Sequence, residues 1–332
     1  MHSAPAQSTL ATSTDVAKRA GVSRTTVSAI LNGHGARFPK VTHEKVKQAA
    51  ADLNYRPSVA GRSLVSGRSD TIILFLPNST FGAHLQDSTD RIVDGVEGYI
   101  GNVVIRFAGK DMQRSLADIE AMRPLAVVNF GVLLDDTDYS RLEQSGIVLF
   151  PSSEEQTKFK YSDGGVAALQ LDAVSKSADR DVWYACISDS RTDAFGPNRF
   201  RALNEECAKR NLAKPRIVSV NPSGKPAISA LKEVTAESKT ANILCYNDDV
   251  ALSLLAAARD LKVEVPGAFS VVGVDNTFAG QLWSPRLTTI DSDTKSFAAY
   301  ISSQLKALLT NEPQSSLPYT HHMSIVWGET TK

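Results

Sequence analysis

The sequence predicts a chain of two unlike parts: an N-terminal all-α helix-turn-helix headpiece with a hinge helix, then a C-terminal α/β core of two doubly wound lobes. Three observations carry that expectation. Residues 15–33, DVAKRAGVSRTTVSAILNG, read as two short helices joined by a glycine-containing turn. From Thr71 onward, short apolar runs alternate with helix-length amphipathic stretches, the texture of parallel sheets covered on both faces. Charge divides the same way. Over 332 residues 36 Lys/Arg balance 36 Asp/Glu, yet residues 1–68 hold ten bases against three acids, a local +7 that leaves −7 on the remainder.

In the headpiece, Thr12-Ser13-Thr14-Asp15 has the capping-box spacing that starts a first helix. Ala17, Val22, Val27, Ile30 and Leu31 recur on one helical face. Gly21 falls at the sharp turn, where φ > 0 costs any other residue more. Ser23 caps the second helix, so Arg24 and Thr25 sit where a recognition helix presents side chains to base edges. A third helix is expected over Thr42–Asn54, with Val46, Ala50 and Leu53 facing inward. An ordinary helical hairpin would explain the periodicity, and a solvated surface some of the charge. Neither explains why the basic charge collects at one end of a neutral chain. Phosphate neutralisation is local, so that concentration points to DNA.

Pro57 opens the next segment, Ser58-Val59-Ala60-Gly61-Arg62-Ser63-Leu64. Proline suits a first helical turn, but eight residues are too few to stay helical alone in water. The segment is therefore expected to order only with DNA and a second subunit. The alternative is a plain Ser/Gly linker ending at Ser66-Gly67-Arg68-Ser69.

The core follows. Ile72–Leu76, Val103–Phe107, Ala126–Phe130, Ile147–Phe150, Val182–Ile187, Ile217–Val220, Ile243–Tyr246 and Ser270–Val274 read as strands separated by helix-length segments, the first of these helices being expected over Ser88–Ile100. About 260 residues of this texture exceed one sheet core and suit two lobes across a cleft, as in periplasmic sugar-binding proteins. Ligand is then expected between the lobes, at the carboxyl ends of the strands.

Other chemistries find little support. GxGxxG, Walker A and GxSxG patterns are missing, and Cys186, Cys207 and Cys245 lack metal-ligand spacing. Three cysteines cannot pair completely, which fits a reducing cytoplasm. Asp248-Asp249 resembles half a metal site, but acids at a helix start complement the dipole and need no metal. No run approaches the 18 or so apolar residues of a membrane span, and residues 1–11 lack the apolar core of an export signal. No cofactor or metal is expected. Among three classes of function, a solute-binding protein explains only residues 70–332, and a sugar-modifying enzyme lacks a catalytic constellation. A ligand-responsive DNA-binding regulator explains both halves.

The run Thr12–Leu64 resembles the headpiece of the LacI/GalR family of bacterial transcription regulators. The carriers are DVAKRAGVS, TTVSAILNG, the third helix and YRPSVAGRSL at 55–64. In the second lobe ILCYNDDVALSLLAAARDLKVEVPGAFSVVGVDN, residues 243–276, and PRLTTID, residues 285–291, follow the family pattern. The resemblance implies a headpiece over 12–56, a hinge over 57–69 and an effector-binding, dimerising core over 70–332, its second lobe spanning roughly 164–290. It implies that Thr12, Ser28 and Asn32 touch phosphates while Arg24 and Thr25 read bases. Ala29 stands where many members carry a polar or basic residue, and it can make only an apolar contact, such as one to a thymine methyl. The hinge would enter the minor groove as a pair, Leu64 wedging between base steps, with Gly61 in place of the usual alanine weakening the helix by up to about 1 kcal/mol. Arg199, Asn247 and Asp275 would line the cleft and meet the hydroxyls of a sugar or sugar derivative. Ala202-Leu203 replaces the usual Gly-Phe pair, and Pro77-Asn78-Ser79-Thr80-Phe81 departs from the first-lobe pattern. Phe81, His84 and Trp283 are either stacking surfaces for an apolar sugar face or core and interface residues. The partners implied are double-stranded operator DNA, a carbohydrate-like effector and a second copy of the chain, with no membrane.

Overall fold

A computed structural model describes residues 11–31, 35–55, 71–77, 83–96, 102–152, 162–188, 196–221, 225–310, 312 and 322–332, which fall into two compact units. In the first unit, α1 (Ser13–Ala20) starts on the expected capping box: the Thr12 hydroxyl accepts from the Asp15 amide while the Asp15 carboxylate accepts from the Thr12 amide at 2.8 Å. It ends at Gly21, φ 67°, where a side chain would meet nothing within 4 Å. The left-handed backbone, not crowding, is what selects glycine there. α2 (Arg24–Leu31) follows at once.

α3 runs Lys40–Asp52, beginning and ending two residues before the expected Thr42–Asn54. The Pro39 carbonyl accepts from Thr42 at 2.9 Å, so the first turn is already closed ahead of the expected start. At the other end Asn54 turns left-handed, φ 47°, and the Tyr55 and Asn54 amides close back on Ala50 and Ala51. This Schellman pattern stops the helix before Asn54 can join it. Val16, Val27 and Val46, all fully buried, form the centre with Ala17, Ile30, Ala49 and Ala50. Arg19 donates to Asp52 at 2.6 Å, tying α1 to α3 across an exposed surface; such a pair stabilises by at most about 1 kcal/mol.

The second unit holds two sheets. In the first, β1 (Thr71–Leu76) lies between β2 (Asn102–Phe107) and β3 (Ala126–Asn129), with β4 (Val148–Phe150) beyond β3, all parallel. All six β1 residues are buried, which explains a continuous apolar run instead of an alternating one. Ile72, Leu74 and Leu76 face Ile92 and Val96 of α4 (Ala83–Val96). Ile73 and Phe75 face Leu116 and Ile119 of α5 (Met112–Met122) and Tyr139 and Leu142 of α6 (Asp136–Gln144). α4 starts five residues before the expected Ser88, since the helix-favouring Ala83-His84-Leu85-Gln86 continues it upstream; residues 97–100 lie outside the described residues.

After α7 (Ser162–Ala173), the second sheet has the order β10-β9-β8-β7-β5-β6. Its strands are β5 (Asp181–Ile187), β6 (Arg216–Val220), β7 (Ala241–Cys245), β8 (Phe269–Val274), β9 (Thr288–Ser292) and β10 (Met323–Val326). Among the described residues, only β10, at the edge, is antiparallel. α8 (Gly196–Lys209), α9 (Ile228–Glu237), α10 (Asp248–Asp260) and the short α11 (Phe278–Leu282) complete this lobe. α12 (Thr294–Thr310) behaves differently. It leaves β9 and inserts Ala298, Ile301 and Leu305 into the first-sheet core, after which the chain returns to pair β10 with β9. The second sheet thus extends beyond residue 290. A final strip is stitched on: Thr330 exchanges bonds with Val271, and its hydroxyl accepts from the Thr288 amide at 2.9 Å.

Candidate DNA interface and ligand site

The headpiece presents one face of α2. Val27 and Ile30 point into the core, which leaves Arg24 and Thr25 exposed and Ser28 and Ala29 half-buried beside them. Ser23 caps the helix as expected, accepting from the Thr26 amide at 3.0 Å. It does more than the sequence suggested: the same oxygen lies 2.7 Å from the Thr25 hydroxyl and 2.8 Å from that of Thr26. Thr12 is exposed at the start of α1, its hydroxyl donating to Asp15 at 2.7 Å. Those bonds hold the Asp15 carboxyl below the usual carboxylate range, so the cap stays ionised. Lys18 and Arg19 are exposed, Arg19 engaged by Asp52. Asn32, Gly61 and Leu64 lie outside the described residues.

In the second lobe strand order reverses between β5 and β7, the switch point at which open α/β sheets take ligands. Arg199, from α8, donates to the Tyr246 carbonyl just beyond β7, and its guanidinium lies over the Tyr246 ring 4.9 Å from the centroid. Tyr246 was not singled out from sequence, although it directly precedes Asn247. Asn247 is the N-cap of α10, its carbonyl oxygen accepting from Val250 at 3.0 Å. One lone pair of that oxygen serves the helix, and the amide NH2 supplies Asn247 with two donors for a ligand.

Asp275 follows β8 with a left-handed backbone, φ 102°, and Asn276 continues at φ 45°. Few residues besides glycine accept such conformations, Asp and Asn among them, and strain of this kind collects at functional sites. Burial pushes the Asp275 carboxyl up to about 6; Arg199 opposes the rise and Asp249 reinforces it. Arg199 and Asp275, from different elements, therefore share one field at the strand ends, with Asn247 next to the tyrosine that holds the arginine. Among the described residues, buried Asn276 Oδ1 finds no hydrogen-bond partner.

The acids at the start of α10 have separate roles. Asp249 is exposed in the first turn, where it complements the dipole. Asp248 is fully buried and accepts from the Thr277 amide at 2.6 Å, the Thr277 hydroxyl at 2.9 Å and the Thr289 hydroxyl at 2.6 Å. Burial still raises its carboxyl to about 6 against those donors. It fits because Gly273 lies beneath it: a Cβ there would stand 2.1 Å from Asp248 Oδ1. Trp283 is half-buried against the second-lobe core with the Arg259 guanidinium over its ring, so that face is occupied. Phe81 and the His84 side chain lie outside the described residues. Among the described residues no helix is long and apolar enough to cross a membrane.

Comparison with known proteins adds two kinds of likeness. Residues 12–58 match the family model for bacterial regulatory proteins of the lacI family, and residues 177–331 that for a periplasmic binding protein-like domain. The HTH-type transcriptional repressor PurR of Vibrio campbellii is 29% identical over 300 residues, covering 85% of this chain and 86% of its own. In fold, the chain is similar to the lac repressor dimer bound to operator and the anti-inducer ONPF (TM-score 0.73, 19% identity, 97% and 99% of the two chains). It is also similar to the transcriptional regulator CelR in its cellobiose complex (TM-score 0.60, 19% identity, 96% and 99%).

Proposed function

The chain belongs to the lacI family of bacterial regulatory proteins, sequence-specific DNA-binding regulators of transcription, and on that premise we propose how its parts divide the work. Residues 12–56 dock on operator DNA, residues 57–69 form the hinge, and residues 70–332 bind effector and dimerise. Thr12, Ser28 and Asn32 meet phosphates; Arg24, Thr25 and Ala29 face bases; Gly61 and Leu64 belong to the minor-groove hinge. The observation that supports this reading best is the capped α2, its buried side anchored by Val27 and Ile30 and its Arg24–Thr25 start exposed on a unit of charge +7.

The effector is a small polyhydroxylated metabolite of the sugar class, consistent with the cellobiose complex of the similar regulator CelR. It sits between the lobes, against Arg199, the Asn247 amide and Asp275. A guanidinium that donates, an amide that donates and a carboxylate that accepts suit vicinal hydroxyls. The protein acts as a homodimeric repressor in the cytoplasm, without a catalytic step. Selection from random duplex DNA by the full-length protein, followed by titration of the recovered site with sugars, tests this. One enriched pseudo-palindrome whose binding shifts with a sugar is the expected outcome. Equal binding to every sequence overturns the regulator reading, and a site indifferent to every sugar overturns the effector class.

A further inference from the structure

The start of α2 carries a detail that decides what it can read. A serine hydroxyl has one proton and two lone pairs. Ser23 Oγ accepts from the Thr26 amide at 3.0 Å and contacts the Thr25 and Thr26 hydroxyls at 2.7 and 2.8 Å, which uses all three. The Thr25 oxygen is thereby drawn back toward the helix start. Threonine carries one hydroxyl and one methyl on Cβ, so directing the first toward Ser23 fixes the rotamer and with it the direction of the second on this exposed residue. Ala29 stands four residues on, on the same helical face, and its side chain is a methyl alone. In the major groove thymine is the one ordinary base that displays a methyl group, while Arg24 beside the pair suits the O6/N7 edge of guanine.

We propose that Thr25 and Ala29 form a methyl-reading pair, one helical turn apart, that selects thymines next to a guanine read by Arg24. The inference rests on the operator reading above and specifies what the operator half-site contains. It makes Thr25 a reader by shape, with its hydroxyl oriented by Ser23.

The test uses the full-length protein and the site recovered by selection. Single thymines are replaced by deoxyuridine, which lacks only the methyl, and affinities for the site and for scrambled DNA are measured so that general weakening cancels. One or two thymines per half-site should lose about fourfold each, the worth of one buried methyl. Thr25→Val, which keeps the methyl, should retain the ratio of specific to scrambled binding; Thr25→Ser, which keeps the hydroxyl, should lose about fourfold and become indifferent to deoxyuridine at its position. The reverse pattern, with serine tolerated and valine not, makes the hydroxyl the reader and overturns the inference, as does a deoxyuridine scan without effect anywhere. A selection that enriches no sequence overturns the operator reading itself and this inference with it.

Discussion

Asp275 is a carboxylate at a strand end where burial has lifted it to about 6, so its charge changes close to neutral pH. The ionised form is the stronger acceptor for effector hydroxyls. Affinity is therefore expected to fall as pH drops through about 6, and Asp275→Asn should cost about 1–3 kcal/mol at neutral pH while flattening that dependence. Calorimetry on either side of the midpoint reads both effects. Asp248 titrates in the same range. Both acids hold protons more tightly folded than unfolded, so between about pH 4 and 6 the folded chain binds more of them and stability declines as pH rises. Asp248→Ala should still destabilise, by roughly 1–3 kcal/mol in urea melts, because it strands the Thr277 amide and the Thr289 hydroxyl. The capping of α1 by Thr12 and Asp15 was legible in sequence, since its partners lie three residues apart. The tie made by Asp248 was not: Thr277 and Thr289 are 29 and 41 residues away, and nothing local announces them.

The recognition helix makes a contrast that can be measured. Arg24→Ala should relax base preference and cost about 1–3 kcal/mol on the selected site, whereas Lys18→Ala should weaken selected and scrambled DNA alike. Titrations on the two DNAs decide, and equal losses for Arg24→Ala would remove it from the base readers. Among strands, the eight expected runs all form as short, largely apolar segments, although the edge strands β2 and β6 leave Ile105, Phe107 and Ile217 exposed. β9 and β10 escaped notice: Thr288-Thr289-Ile290-Asp291-Ser292 is mostly polar, and Met323–Val326 is an edge of four residues. The starts of α3 and α4 were misplaced for a common reason. In each, the turn upstream of the expected start is itself helical, the Pro39 carbonyl accepting from Thr42 in α3 and residues 83–87 leading α4. In the ligand site, Arg199 and Asp275 were named through family likeness. Tyr246, which holds the arginine through its backbone carbonyl, could not be found from side-chain chemistry.

For the molecule as a whole, regulation by effector is a coupling free energy and must be reciprocal. Whatever factor the effector imposes on operator affinity, operator must impose on effector affinity. Calorimetry with and without operator DNA should give two different effector affinities; identical values would mean that the ligand site does not communicate with DNA. The path of α12 has a further consequence, for the order in which the chain can fold. Ile72, Leu74 and Leu76 emerge early in synthesis, but Ala298, Ile301 and Leu305, which cover them, follow about 220 residues later. A nascent chain stalled at residue 290 on the ribosome should therefore leave that apolar face open to protease and to chaperones, and release of the last forty or so residues should close it. Pulse proteolysis of stalled and completed chains would show the difference, and equal protection would mean that the first lobe matures without its late helix.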